Sequence, residues 1–228
     1  MKTSERIVNA LMRFIFRLMY RMDLSEFDKV PKEGPFIIIA NHTSTLDGPL
    51  MYVFMRPRNM IAMAKKELWN NPFTRFLMNL WRIIPVDRGN MGRETMERCF
   101  TVLQRGEILA IAPEGTRNNS GELQEGKAGV AFIAHRMKVP MVPIYTLGYH
   151  GVWENLKRFR RTKLTIKVGK PFAVAHTEGR LDAAHRQQLA DEIMLRLAEL
   201  MPESLWGVYR GRQLDFILTR TAEDLQIQ

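Results

Sequence analysis

Phe36-Ile37-Ile38-Ile39-Ala40-Asn41-His42-Thr43-Ser44-Thr45-Leu46-Asp47-Gly48 is the stretch on which the fold turns. Phe36 to Ile39 form an apolar run bounded by Gly34-Pro35 before and polar residues after, which predicts a short buried strand. The polar cluster therefore sits at the carboxyl end of a strand, where open α/β sheets place their chemistry. Ser44 and Asp47, ahead of Leu50, Met51, Val53 and Phe54, have the pattern of a capping box opening a helix.

On one continuous helix, residues five apart point about 140° away from each other, so His42 and Asp47 could not meet. With a turn between them, the carboxylate can fold back onto one imidazole nitrogen and leave the other as a base. A helix cap beside an unrelated strand-end imidazole is the other reading of the same pair.

The 228-residue chain is long enough for one α/β domain with a sizeable core. Lys and Arg number 34 against 24 Asp and Glu, a net charge of +10, which points to an anionic partner. Cys99 is the single cysteine, so no intramolecular disulfide can form and a reducing compartment is expected. It falls in a helix-like stretch, Met91 to Gln104, where a packed thiol is expected. No run of about 18 uncharged apolar residues predicts a membrane span, and arginines interrupt the N-terminal apolar region where a cleavable signal would lie.

That N-terminal region is amphipathic. Arg6, Asn9, Arg13, Arg17 and Arg21 fall within one sector of roughly 120° on a helix, beside a broad apolar face. Every charge from Arg6 to Met22 is positive, as expected of a helix lying in an anionic membrane interface. A terminal helix packed on the core with its polar stripe in water is the alternative. Residues 1–30 are thus read as a membrane-associating helix and linker, and 31–228 as the main domain.

Pro72 to Trp81 predicts a short apolar helix started by proline, serving the core or, with Trp69, Phe73, Phe76 and Trp81 close together, edging an apolar channel or touching lipid. Arg88 follows an extended run at a strand end, where its planar fork suits a phosphate or a surface ion pair. Glu107 to Ala112 predicts a second strand ending in Pro113-Glu114-Gly115-Thr116-Arg117, a loop that can share the His–Asp crevice in a parallel sheet. Lys127, near the start of the next helix, can join an anion site or face solvent. Pro140 and Pro143 place the strand Pro140 to Leu147 at an edge or a strand start. Lys157, Arg158, Arg160, Arg161 and Lys163 make the sharpest basic cluster. No nucleic-acid-binding signature accompanies it, so anionic lipid headgroups or another acidic ligand suit it better. Metal-ligand spacings, a G-x-S-x-G elbow and glycine-rich phosphate loops do not occur, so neither a metal nor a nucleotide cofactor is expected.

Asn41-His42-Thr43-Ser44-Thr45-Leu46-Asp47 resembles the N-H-x-S-x-x-D signature of the glycerolipid acyltransferases, the 1-acylglycerol-3-phosphate acyltransferase family. Ile84-Pro85-Val86-Asp87-Arg88, Pro113-Glu114-Gly115-Thr116-Arg117 and Val139-Pro140-Met141-Val142-Pro143-Ile144 resemble its second, third and fourth motifs, in the family's order. The resemblance covers roughly residues 31 to 170. It implies a single α/β domain with a mixed, largely parallel sheet flanked by helices. It further implies acyl transfer from acyl-CoA or acyl carrier protein to 1-acylglycerol 3-phosphate, with no cofactor. His42 would be the general base, an imidazole's ordinary pKa of about 6.5 suiting that role, and Asp47 would orient it. Arg88, Glu114, Gly115, Thr116, Arg117 and Lys127 would hold the substrate. The enzyme would work on the cytoplasmic face of a membrane as a peripheral or monotopic protein. A related acceptor, or a non-catalytic membrane-binding role, would leave the same sequence features. Ala112 and Asn118 depart from the residues frequent beside the third motif, which bears on the acceptor's identity.

Overall fold

The computed structural model describes residues 3–87, 91–175, 179 and 181–221. Helix α1 (Thr3–Met19) runs into a two-residue strand, β1 (Tyr20–Arg21). There follow β2 (Phe36–Ala40), α2 (Asp47–Phe54), β3 (Met60–Lys65), α3 (Pro72–Leu80), β4 (Ile84–Val86), α4 (Arg93–Gln104) and β5 (Ile108–Ile111). The second half carries α5 (Ala128–Met137), β6 (Met141–Leu147), α6 (Val152–Lys157), β7 (Thr162–Lys163), β8 (Thr165–Val168), β9 (Phe172–Val174), α7 (Ala183–Ala198) and β10 (Thr219–Thr221).

The main sheet has the order β10-β9-β6-β2-β5-β3-β4, with β8 also paired to β6. Strands β6, β2, β5, β3 and β4 are parallel to one another. β8 and β9 pair antiparallel with β6, and β10 antiparallel with β9. This is the mixed, largely parallel α/β domain that the resemblance implies.

β2 is apolar throughout because helices cover both faces of the sheet. Ile37 and Ile39 enter one core with Cys99 and Val102 of α4, Val130 and Ile133 of α5 and Ile193 of α7. Phe36, Ile38 and Ala40 enter the other with Phe16 of α1, Leu50 and Val53 of α2 and Trp81 beyond α3. The Cys99 thiol is packed as expected, 3.7 Å from the Met63 sulfur, and burial pushes its pKa up to about 11.

Two sequence-based expectations are corrected. β6 is an interior strand, not an edge, with only Pro140 standing at its start: β2 flanks it on one side, and β8 and β9 on the other. Pro143 is tolerated there because it sits where β9, paired at Met141, gives way to β8, paired from Ile144. Its carbonyl accepts from Gly169 N at 2.9 Å on that flank, and its missing N–H belongs to the same side. The second correction concerns Asn9. It does not share the solvent side of α1 with the arginines but is 0% exposed, accepting from Trp81 Nε1 at 3.0 Å.

α1 packs Phe16 and Met19 inward while Ile7, Leu11, Phe14 and Leu18 stay exposed. The arginines thus flank an exposed apolar stripe. Glu5, on the buried face of α1, accepts from the Tyr52 hydroxyl at 2.9 Å and pairs with Arg56. Asn71 caps α3 by accepting from Phe73 N and Thr74 N, ahead of Pro72 in the first turn. α3 divides its apolar residues: Leu77 and Met78 are buried and Phe73 and Phe76 exposed. Among the described residues, no helix is long and apolar enough to cross a membrane.

Candidate active site

Parallel pairing brings the first and third motifs to the carboxyl end of the central strands. β2 and β5 run in register, Ile39 opposite Ile111, so His42 and Pro113-Glu114 leave adjacent strands at their carboxyl ends. β6 lies on the other side of β2, Ala40 opposite Ile144, and carries the fourth motif.

The turn after β2 makes the His–Asp pair. His42 Nδ1 lies 2.9 Å from Asp47 Oδ2, with the imidazole side chain 33% exposed and the Asp47 side chain 2% exposed. The same Oδ2 accepts from Thr43 N at 2.8 Å and Ser44 N at 2.9 Å. Only half of the capping box is present. The carboxylate reaches back to Ser44 N, but the Ser44 hydroxyl accepts from Leu46 N at 3.2 Å, because Leu46 already has helical backbone angles and stands at the cap. Asp47 is therefore spent on the turn and on the histidine. With Nδ1 engaged by the carboxylate, Nε2 is the nitrogen left for chemistry.

The third motif clasps His42 through its backbone. Glu114 Oε1 accepts from His42 N at 3.1 Å, and Asn118 N donates to the His42 carbonyl at 2.9 Å. Glu114 Oε2 accepts from Gln124 N at 3.1 Å. Expected among the groups meeting the substrate, Glu114 is 2% exposed and braces the loop from inside. Burial pushes its pKa up, opposed by the Gln124 and His42 amides.

Gly115, Thr116, Arg117 and Lys127 are all exposed on the same loop system. Gly115 has φ of +69°, the left-handed region glycine adopts without strain. A side chain there would meet the Lys127 stem at 3.7 Å, so the lysine lies against the loop. Lys127 N donates to the Pro113 carbonyl at 2.9 Å, which ties the start of α5 to the same loop. Among the described residues, Arg117 has no hydrogen bond or ion pair, so its guanidinium is available to an anion. Arg88 lies outside the described residues.

Asn41 and Tyr149 carry roles that the sequence reading did not assign. Asn41 pairs with the Thr146 backbone and fixes the end of β2 against β6. Tyr149, just beyond β6, is buried with its ring edge-on to Tyr20 at 5.8 Å between centroids. Burial, and then the neighbouring Asp47 carboxylate, push the Tyr149 pKa well above its ordinary value. An asparagine closing an apolar strand is a weak signal for such a pairing, and Tyr149 has none.

Residues 21–147 match the family model described as Acyltransferase. The chain is 31% identical over 144 residues to the 1-acyl-sn-glycerol-3-phosphate acyltransferase of Bacillus subtilis (strain 168), covering 63% of this chain and 70% of that protein. It is 32% identical over 139 residues to the 1-acyl-sn-glycerol-3-phosphate acyltransferase of Cocos nucifera, covering 59% of this chain and 45% of that longer protein. Its fold is similar to the crystal structure of the 1-acyl-sn-glycerophosphate (LPA) acyltransferase, PlsC, from Thermotoga maritima. The TM-score is 0.56 at 21% identity, over 88% of this chain and 83% of that one, a likeness of fold. With more than half of its length in the family model, and with the Bacillus relative matched over most of that protein, the chain belongs to the 1-acyl-sn-glycerol-3-phosphate acyltransferase family of acyltransferases.

Proposed function

We propose that this enzyme moves a fatty acyl group from a thioester, acyl-CoA or acyl carrier protein, to the free hydroxyl of 1-acylglycerol 3-phosphate, yielding phosphatidic acid. The observation that carries the reading is the His42 Nδ1–Asp47 Oδ2 pair at 2.9 Å, with the imidazole partly exposed at the carboxyl end of the sheet. The acceptor hydroxyl attacks the thioester carbonyl as its proton passes to His42 Nε2. The tetrahedral intermediate then expels the thiolate, which takes the proton from the imidazolium. Asp47 keeps the proton on Nδ1 and stabilises the transient positive ring. The bonds and charges balance without a cofactor.

Thr116, Arg117, Lys127 and the backbone at Gly115 form the anion-receiving side, with Arg88 as a second guanidinium, and they take the acceptor's phosphate. Glu114 acts beneath them as a brace. Residues 1–30 serve as the membrane-associating element and 31–228 as the catalytic domain. The exposed Ile7, Leu11, Phe14 and Leu18 would enter the interface of an anionic bilayer while arginine stems extend to lipid phosphates. The protein then works as a peripheral or monotopic enzyme on the cytoplasmic face.

The test is thiol release from acyl-CoA by the wild type and His42→Ala, with 1-acylglycerol 3-phosphate or glycerol 3-phosphate as acceptor. Release that needs the lysophosphatidate and falls about 10²–10⁴-fold in the variant supports the proposal. Release only with glycerol 3-phosphate moves the acceptor. A variant as active as the wild type removes His42 from the chemistry.

A further inference from the structure

The basic cluster of residues 157–163 is a hydrogen-bonded turn attached to the end of α1. α6 ends at Lys157, and the chain turns through Arg158, Phe159, Arg160 and Arg161 into β7. Phe159 is 100% exposed and has φ of +55°, a conformation uncommon for any residue but glycine, asparagine or aspartate. The turn is heavily bonded. The Asn155 carbonyl accepts from Arg158 N at 3.0 Å and Arg160 N at 2.9 Å, and the Leu156 carbonyl from Phe159 N at 3.0 Å. The Asn155 side chain donates to Thr162 Oγ1 at 3.0 Å. The phenyl ring is thus held in solvent by a defined backbone, at a position where a solvated turn would carry glycine or asparagine.

The turn is also fastened to the N-terminal helix. β1, the direct continuation of α1, pairs in parallel with β7, Tyr20 opposite Thr162 and Arg21 opposite Lys163. Arg161 Nη1 donates to the Arg17 carbonyl at 3.4 Å, and Leu164 N to the Arg21 carbonyl at 3.0 Å. Lys157, Arg158, Arg160, Arg161 and Lys163 surround Phe159 with no acidic residue among them. Nothing in that segment neutralises the charge, and burying one aromatic ring in water-free surroundings would offset the exposure of the turn.

We infer that the 157–163 turn is a second membrane foot: Phe159 enters the interface of an anionic bilayer and its collar of cations binds lipid phosphates. This rests on the membrane reading of α1, and the two are separable by experiment. Charge complementarity selects the occupant, because a surface of phosphates can meet all five cations at once while an apolar layer beneath it takes the ring.

The test is co-sedimentation of the full chain with vesicles of phosphatidylglycerol and phosphatidylcholine. Phe159→Ala should weaken partitioning by about tenfold, with little dependence on salt and with thiol release on detergent-dispersed acceptor unchanged. The double variant Arg158→Glu, Arg160→Glu should weaken it further at low salt, an effect that vanishes on pure phosphatidylcholine. Phe159→Trp should add a fluorescence signal quenched by brominated acyl chains, over the background of the four native tryptophans. Wild-type partitioning by Phe159→Ala, with no added quenching in Phe159→Trp, overturns the foot. Arg13→Glu, Arg17→Glu is the control for α1. If only that variant loses binding, the foot fails and α1 stands; if neither does, the membrane reading itself fails. Unchanged vesicle binding in Arg158→Glu, Arg160→Glu, with activity lost only on an acyl carrier protein donor, also overturns it and makes the turn a protein-docking surface.

Discussion

Asn41 continues the parallel ladder past the end of β2 with its side chain. Its Nδ2 donates to the Thr146 carbonyl at 2.8 Å, and its Oδ1 accepts from Thr146 N at 2.9 Å. The carboxamide thus takes the place of one more peptide unit, which lets the backbone leave the sheet at His42 without stranding β6. Asn41→Leu leaves the buried Thr146 amide and carbonyl unpaired and should cost about 2–4 kcal/mol in urea unfolding. Asn41→Asp keeps an acceptor but loses the donor, and should be at least as destabilising because a buried carboxylate then faces the Thr146 carbonyl.

Glu114 is expected to be needed in its carboxyl form. Glu114→Gln places an NH₂ against either His42 N or Gln124 N, which should cost about 1–3 kcal/mol and slow acyl transfer by loosening the His42 backbone. The pH dependence has a definite sign. Burial raises this pKa, so the group's stabilising contribution is complete below its unfolded value of about 4.3 and declines as pH rises through the folded value. The stability gap between wild type and Glu114→Gln should therefore be wider at pH 4.5 than at pH 7. Paired urea titrations at those two values check it.

Tyr149 is expected to position Asp47. The Tyr149 hydroxyl and Asp47 Oδ1 are both buried without a regular hydrogen bond, yet they interact, and Thr146 Oγ1 interacts with the same hydroxyl. Tyr149→Phe keeps the edge-on packing with Tyr20 and removes only the polar group facing the carboxylate. Without that hydroxyl Asp47 loses a polar neighbour and holds the His42 ring less firmly, so kcat should fall while KM stays close to wild type. The fall should be several-fold, about 1 kcal/mol, with the melting temperature close to wild type. An unchanged kcat would show that the hydroxyl only fills space.

Cys99 offers a test of the packing between α4 and the sheet. Its thiol is buried with a pKa near 11, against about 8.5 for an exposed cysteine. The neutral thiol stabilises the fold fully below pH about 8.5, and that contribution is lost as pH rises toward the folded value. Wild-type stability should thus decline more steeply between pH 8.5 and 10.5 than that of Cys99→Ala, the slopes differing by about 1 kcal/mol per pH unit. In native buffer the thiol should resist a disulfide reagent and react only at the rate of unfolding.

Much of the fold was legible because both faces of the central strands are covered. Runs such as Phe36–Ile39 and Ile108–Ile111 admit little but buried strands, and the Pro72 start of α3 is a local steric signal. The prolines of β6 suggest an edge or a strand start, yet the strand is interior, because a proline costs only the ladder bond on its own flank. Which flank that is, and whether a partner stands opposite, depends on the antiparallel strands that follow. Asn9 was misread for a related reason: helical periodicity sorts polar from apolar residues, but a buried Trp81 N–H awaiting an acceptor comes from a distant part of the chain.

The sequence by itself determined that a histidine and a carboxylate stand at a strand end, separated by a turn that lets them meet, and that a second strand ends in a Glu-Gly-Thr-Arg loop. Those are local properties, set by hydrophobic runs and backbone preferences within a few residues. Tertiary structure alone decided what the loop does to the pair. The register of β2 against β5 turns Glu114 inward, where its carboxylate grips the His42 amide, and leaves Thr116, Arg117 and Lys127 outside. It likewise set Phe159 and its cations on the end of α1, through the β1–β7 pairing of residues more than a hundred positions apart. Pairing partners and their register follow from the burial of whole layers, a property of the assembled chain that no short stretch contains.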